Sequence, residues 1–161
     1  MKIKMKKFLV LFLTVVLLLL TPLSVYAQSN TDTVVNEDTY IEYFEDGSYI
    51  VTEIISNEIQ SRATGVVKTK SEHYYNSNNE KEWTVTVTGT FNYDGKTATC
   101  TKSVTSYKIY NDSWKVTASN ASKSGAKATG TFTVKKYWLG IPTKTVNQTV
   151  TLTCSKDGKF S

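Results

Sequence analysis

The stretch Trp83–Val104 reads W-T-V-T-V-T-G-T-F-N-Y-D-G-K-T-A-T-C-T-K-S-V. Trp83, Val85, Val87, Gly89, Phe91 and Tyr93 share one parity, and Thr84, Thr86, Thr88, Thr90 and Asn92 hold the other. A period of two sustained this long predicts a strand with one buried and one wet face. Val and Thr are β-branched and stiff at χ1, which suits a pleated surface. Asp94-Gly95 predicts a two-residue type I′ turn. Counted outward from it, Phe91 faces Ala98, Gly89 faces Cys100, Val87 faces Lys102 and Val85 faces Val104. A residue without a side chain opposite Cys100 leaves room for a crossing disulfide; the alternative is that Gly89 marks a bulge or kink.

The alternation recurs on both sides. Tyr40–Ile55 reads as a second hairpin about Asp46-Gly47, and Val66–Tyr75 as a strand. Asn76 to Asn79 make the turn into the central hairpin. Residues 56–65 are ambiguous between a loop and a short helical turn. Two short strands are expected at Tyr107–Tyr110 and Trp114–Ser119, a loop at Asn120–Gly125, a strand at Ala126–Val134 and a turn at Trp138–Pro142. In the last strand, Thr145–Cys154, the residues Val146, Val150, Leu152 and Cys154 face one way, with Gln148 as the odd polar member. No stretch keeps apolar residues at helical spacing for three turns. The chain is therefore expected to be all-β, an antiparallel sandwich or barrel of seven to nine strands with one disulfide. T-G-T-F occurs at Thr88–Phe91 and Thr129–Phe132, and T-x-T-C at Thr97–Cys100 and Thr151–Cys154. Either a hairpin was duplicated or threonine-rich strands match by chance.

The first residues have a different character. Lys2, Lys4, Lys6 and Lys7 precede a greasy run from Phe8 to Leu20, and Val25-Tyr26-Ala27 is a small-x-small cleavage site. Residues 1–27 are read as a signal peptide, 28–38 as a flexible leader and 39–161 as a single β domain. The rival is an uncleaved anchor, since residues 8–31 carry no charge. Cleavage predicts a secreted or cell-wall-associated protein with no stable membrane anchor.

The formal charge of +5 includes those four lysines, so the remainder stands near neutrality and makes no case for nucleic acid. Residues 28–94 hold 4 basic and 12 acidic groups, while residues 95–161 hold 11 lysines and 2 aspartates. Such a split can build a polyanion-binding face. Interleaved strands would instead mix the charges, and that is the favoured expectation. The chain has 2 cysteines, and in an exported protein Cys100 and Cys154 are expected to pair. Closing that loop stabilises by about 4 kcal/mol in the chain-entropy picture.

Cys100, Trp114 and Cys154 resemble the Cys…Trp…Cys spacing of immunoglobulin domains, which implies a bridged sandwich. Seven residues follow Cys154, too few for that family's next strand, and Leu152 stands where its tyrosine belongs. T-L-T-C resembles the sortase signature, but only Lys156 and Lys159 follow where that family needs an arginine. The signal, the opening from Tyr40 to Tyr49, Tyr137–Pro142 and the T-L-T-C-S-K-D-G tail together resemble small exported proteins of unassigned function from AT-rich Gram-positive bacteria. That resemblance implies a compartment and no chemistry.

No nucleophile-elbow, zincin, phosphate-loop or EF-hand pattern occurs, and no catalytic residue, metal ligand or cofactor is assigned. His73 is read as a surface residue. The acids Glu42, Glu45, Asp46, Glu53 and Glu58 could hold a glycosidase pair but are read as solvated. The leading expectation is a non-enzymatic binding module. Its ligand-stacking aromatics would be Tyr74, Tyr75, Tyr110, Tyr137 and Trp138, taking sugars of the cell wall or of a host glycan. The alternative is an antimicrobial or toxin-like protein acting on membranes through its lysine-rich half.

Overall fold

The computed structural model describes residues 35–56 and 63–161. The signal peptide read at 1–27 lies outside them, as does most of the ambiguous segment after Ser56. The described residues form β1 (Val35–Tyr43), β2 (Tyr49–Ser56), β3 (Ala63–Tyr75), β4 (Lys81–Tyr93), β5 (Ala98–Ile109), β6 (Trp114–Ser124), β7 (Lys127–Trp138) and β8 (Ile141–Thr153). β1 starts inside the stretch read as leader. β5 and β6 are long strands where the sequence pattern predicts short ones, and β6 absorbs most of the expected loop at Asn120–Gly125.

Two antiparallel sheets result. Sheet A has the order β1-β2-β3-β4-β5 and sheet B the order β6-β7-β8. Each strand thus pairs with its neighbour in sequence, and the chain crosses from one sheet to the other once, between β5 and β6. This is a meander folded into a sandwich, without the crossing connections of an immunoglobulin domain.

Alternation fills the space between the sheets. Trp83, Val85, Val87 and Phe91 of β4 are fully buried against Ala128, Phe132 and Val134 of β7 and Val150 and Leu152 of β8. Tyr74 stacks on Trp83 at 4.9 Å, and Trp114 meets both rings edge-on at 5.5 and 6.2 Å. The two T-G-T-F segments lie where the layers touch. In each, the phenylalanine ring folds back over the glycine two residues before it. A Cβ on Gly89 would lie 2.3 Å from the Phe91 ring and 2.9 Å from Ala128, and one on Gly130 would lie 2.8 Å from Thr105 and 3.0 Å from the Phe132 ring.

The expected register of the central hairpin is corrected. Tyr93 pairs with Ala98, Phe91 with Cys100, Gly89 with Ser103, Val87 with Thr105 and Val85 with Tyr107. Two causes add up. Asp94 accepts hydrogen bonds from the backbone N–H of Lys96 and Thr97 at 2.8 and 2.7 Å, which builds a longer turn than Asp-Gly alone predicts. A bulge between Thr90 and Phe91 then moves the pairing on by one more residue.

The expected disulfide is corrected with it. Cys100 and Cys154 are both buried free thiols. Space beside Gly89 is taken by the Phe91 ring, not by a sulfur crossing from Cys100. Each thiol donates instead to a nearby carbonyl, Cys100 to Lys102 at 3.2 Å and Cys154 to Ser155 at 3.3 Å. Their backbone N–H groups donate to separate carbonyls of the β6–β7 turn, Gly125 and Ala126. The two thiols are thus engaged separately, while both backbones are tied to the same turn of sheet B.

Charge mixes on sheet A, where Lys68, Lys70, Lys81, Lys102 and Lys108 stand among the acids, but not on sheet B. From Trp114 to Thr153, the whole of sheet B, the chain carries 6 lysines and no Asp or Glu. Among the described residues the acidic groups lie on sheet A and its turns, except Asp112 in the β5–β6 crossover and Asp157 after β8.

Candidate functional site

Because the strands alternate in direction, the β1–β2, β3–β4, β5–β6 and β7–β8 turns converge at one pole of the sandwich. Asn76 organises the middle of that pole. Its side-chain oxygen accepts the N–H groups of Asn78 and Glu80, and its amide donates to Glu80 Oε2 and Glu82 Oε1, both at 2.8 Å. Asn79 closes the turn at φ +63°, a left-handed conformation that asparagine tolerates.

A second bulge positions Glu82. Tyr74 pairs with Trp83 and Tyr75 with Lys81, so Glu82 has no partner on β3, while its carbonyl accepts the N–H groups of Tyr110 and Asn111 on the other side. Bulges of this kind re-aim a side chain. The Glu82 carboxylate is 2% exposed; Oε1 takes the Asn76 bond, and Oε2 is buried with no partner. Trp114, also 2% exposed, has its indole Nε1 buried and unpartnered.

Both residues line a cavity of about 210 Å³ together with Tyr74, Asn76, Lys136 and Lys144. Its rim comes from the β1–β2 turn. Lys144 Nζ donates to Asp46 Oδ2 at 2.8 Å and to the Tyr74 hydroxyl at 2.9 Å. The Lys144 hydrogen bond, followed by those from Ser48, holds the Asp46 carboxyl well below the usual carboxylate range. Burial opposes the charge on Lys144, yet its bonds to Asp46 and Tyr74 more than offset this and raise its pKa. Lys136 Nζ lies 5.7 Å from the Trp114 ring. The site thus joins two aromatic walls, two ammonium groups, and an unpaired acceptor and donor. A wider depression of about 260 Å³ over sheet B has no charged residue in its lining.

The five aromatics expected to stack ligand do not form one platform. Tyr74 is buried and serves as cavity wall. Tyr75 stacks on Tyr49 at 4.9 Å on the opposite face of sheet A, with Tyr43 tilted against Tyr49. Lys81 reaches from the Tyr75 ring to that of Tyr110, at 5.3 and 5.8 Å. Tyr137 lies on sheet B beneath Lys115, and Trp138 stands at the β7–β8 tip. All five nonetheless lie towards the same pole.

Glu82, Asn76, Lys144 and Trp114 were not among the expected site residues. The bulge that turns Glu82 inward has no signature in the chain, and Lys144 reaches Asp46 only through the packing of two sheets. Of the acids considered for glycosidase chemistry, Asp46 is paired with Lys144 and Glu53 with His73, and Glu58 lies outside the described residues. Among the described residues no three His, Cys, Asp or Glu side chains gather as a metal site. Comparison with protein-family models, with curated proteins and with solved structures finds no match.

Proposed function

We propose that this chain is a non-enzymatic binding module of an exported protein, and that its polar cavity takes a hydroxyl-bearing ligand, a sugar unit of a cell-wall or host glycan. The observation that carries this reading is that two residues lining the cavity, Glu82 and Trp114, each bury a polar atom, Oε2 and Nε1, without a hydrogen-bond partner in the fold. A carboxylate oxygen can only accept and an indole N–H can only donate, whereas hydroxyl groups do both. Buried polar atoms without partners are costly, and a ligand that pairs them recovers that cost on binding. At about 210 Å³ the cavity suits one small ring rather than a drug-sized molecule. The flanking rings of Tyr74 and Trp114 supply apolar faces. The greasy run and cleavage site within residues 1–27 support export.

The test is retention on purified peptidoglycan and on a panel of immobilised mono- and disaccharides. Glu82→Gln keeps an acceptor for the Asn76 bond but puts an amide donor where Oε2 can accept. We expect it to lower affinity by about tenfold or more, as for the loss of a charged hydrogen bond. Its thermal midpoint should equal or exceed that of the parent. Retention on none of these materials, or equal retention by the variant, overturns the reading.

A further inference from the structure

The β7–β8 hairpin ends in an apolar tip. Trp138, Leu139 and Ile141 are 71%, 87% and 66% exposed. Trp138 pairs with Ile141, so Leu139 and Gly140 alone make the turn, both at positive φ, +47° and +81°. Such a turn favours Asn, Asp or Gly at its first position. Leucine is strained there and packs against nothing in return. Neither the backbone nor the core calls for it, so its use lies outside the chain.

The strands behind the tip are basic. Lys136 and Lys144 face each other across β7 and β8, and Lys115 and Lys135 face each other across β6 and β7. Lys144, paired with Asp46, and Lys136, over Trp114, both line the cavity; Lys115, over the Tyr137 ring, and Lys135 do not, and these two form the collar. Sheet B has no acid to oppose them. A protruding point with a tryptophan at its shoulder and ammonium groups behind it fits a fluid anionic surface that closes around it. Tryptophan favours the headgroup level, apolar side chains enter below it, and lysines meet anionic headgroups.

We propose that the β7–β8 tip docks on a bilayer rich in anionic phospholipid, with Trp138, Leu139 and Ile141 entering the headgroup region and Lys115 and Lys135 held above it. The docking is peripheral and is independent of the sugar reading of the cavity.

Trp138 makes the test specific. Of the 3 tryptophans, Trp83 and Trp114 are buried, and none lies before residue 83. Quenching of Trp138 by brominated lipid therefore reports the tip even if residues 8–20 of the full chain also partition. Phosphatidylglycerol vesicles should quench it, and pure phosphatidylcholine vesicles should do so far less. Leu139→Asn relieves the backbone, so its thermal midpoint should match or exceed the parent's while partitioning of the tip falls about tenfold or more. Lys115→Gln with Lys135→Gln should remove the preference for anionic vesicles. The proposal is overturned by absence of quenching, by equal quenching in both vesicle types, by quenching that Leu139→Asn leaves unchanged, or by a concentration-dependent blue shift without lipid, which would mark self-association instead.

Discussion

His73 stands on the face of sheet A turned away from sheet B, with both ring nitrogens engaged. Nδ1 meets the Thr84 hydroxyl at 2.8 Å and Nε2 meets Glu53 Oε2 at 3.3 Å. Its side chain is 12% exposed, so this outward-facing imidazole is largely covered by its neighbours. Burial, followed by the charge of Lys81, lowers its pKa below 6.5, and Glu53 opposes this only in part. The unfolded chain therefore takes up the proton first as pH falls. The contribution of His73 to stability is fully present above pH 6.5 and is lost as pH drops from there through the folded pKa. Glu72 works in the opposite sense, since burial raises its pKa against the Gln148 hydrogen bond and its ionisation above 4.5 disfavours the fold. Comparing the parent with His73→Gln cancels that term. Denaturant titrations from pH 7 to 5 should show a stability loss of at most about 1.4 kcal/mol per pH unit from this one proton in the parent. The variant should lack it; identical slopes would mean that His73 titrates alike in both states.

At the scale of strands and hairpins, the T-G-T-F segments decide how closely the layers meet. Gly89→Ala puts a methyl into the Phe91 ring and the Ala128 methyl at distances no Cβ adopts. Overpacking of this kind costs about 1–3 kcal/mol, and a chemical denaturation curve would read it as a lower midpoint at unchanged slope. A neutral result would show that Phe91 can swing aside freely. The same segments show what was legible in the chain. Strand existence was, because Trp83, Val85 and Val87 alternate with threonines without a break, and the inward parity of Val146, Gln148, Val150 and Leu152 holds in β8. Register was not. Asp94 builds its turn through side-chain bonds, and the Thr90–Phe91 bulge adds a residue, so counting outward from Asp-Gly ended three positions away from the partner of Gly89. The cavity stayed hidden for the same reason, since Glu82 reaches it through a bulge and Lys144 through the meeting of two sheets. The echo of T-G-T-F has a physical reading whether or not it records a duplication: each copy lets a ring cover a glycine where the layers touch.

Across the whole molecule, the thiols report on cooperativity. Burial raises the pKa of Cys100 and pushes that of Cys154 up to about 11. Thiolate is the reactive form, so both should react slowly with a disulfide reagent at pH 8 while the sandwich is intact. Titration in increasing denaturant should release both thiols together, along the same curve as tryptophan emission, because Cys100 on β5 and Cys154 after β8 belong to one cooperative unit. Release of one ahead of the other would separate the sheets into independent units; no thiol released after full unfolding without reductant would restore the crosslink.

The even number of strands has a further outcome. β1 enters and β8 leaves at the pole of the cysteines, where Thr153 and Ser161 exchange backbone hydrogen bonds at 2.9 and 3.1 Å. A resin, dye or fused neighbour joined through either extremity of the sandwich therefore hangs on the far side from Leu139 and Glu82. Whatever holds the sandwich at Val35 and Ser161 leaves the pole of Leu139 and Glu82 facing outward.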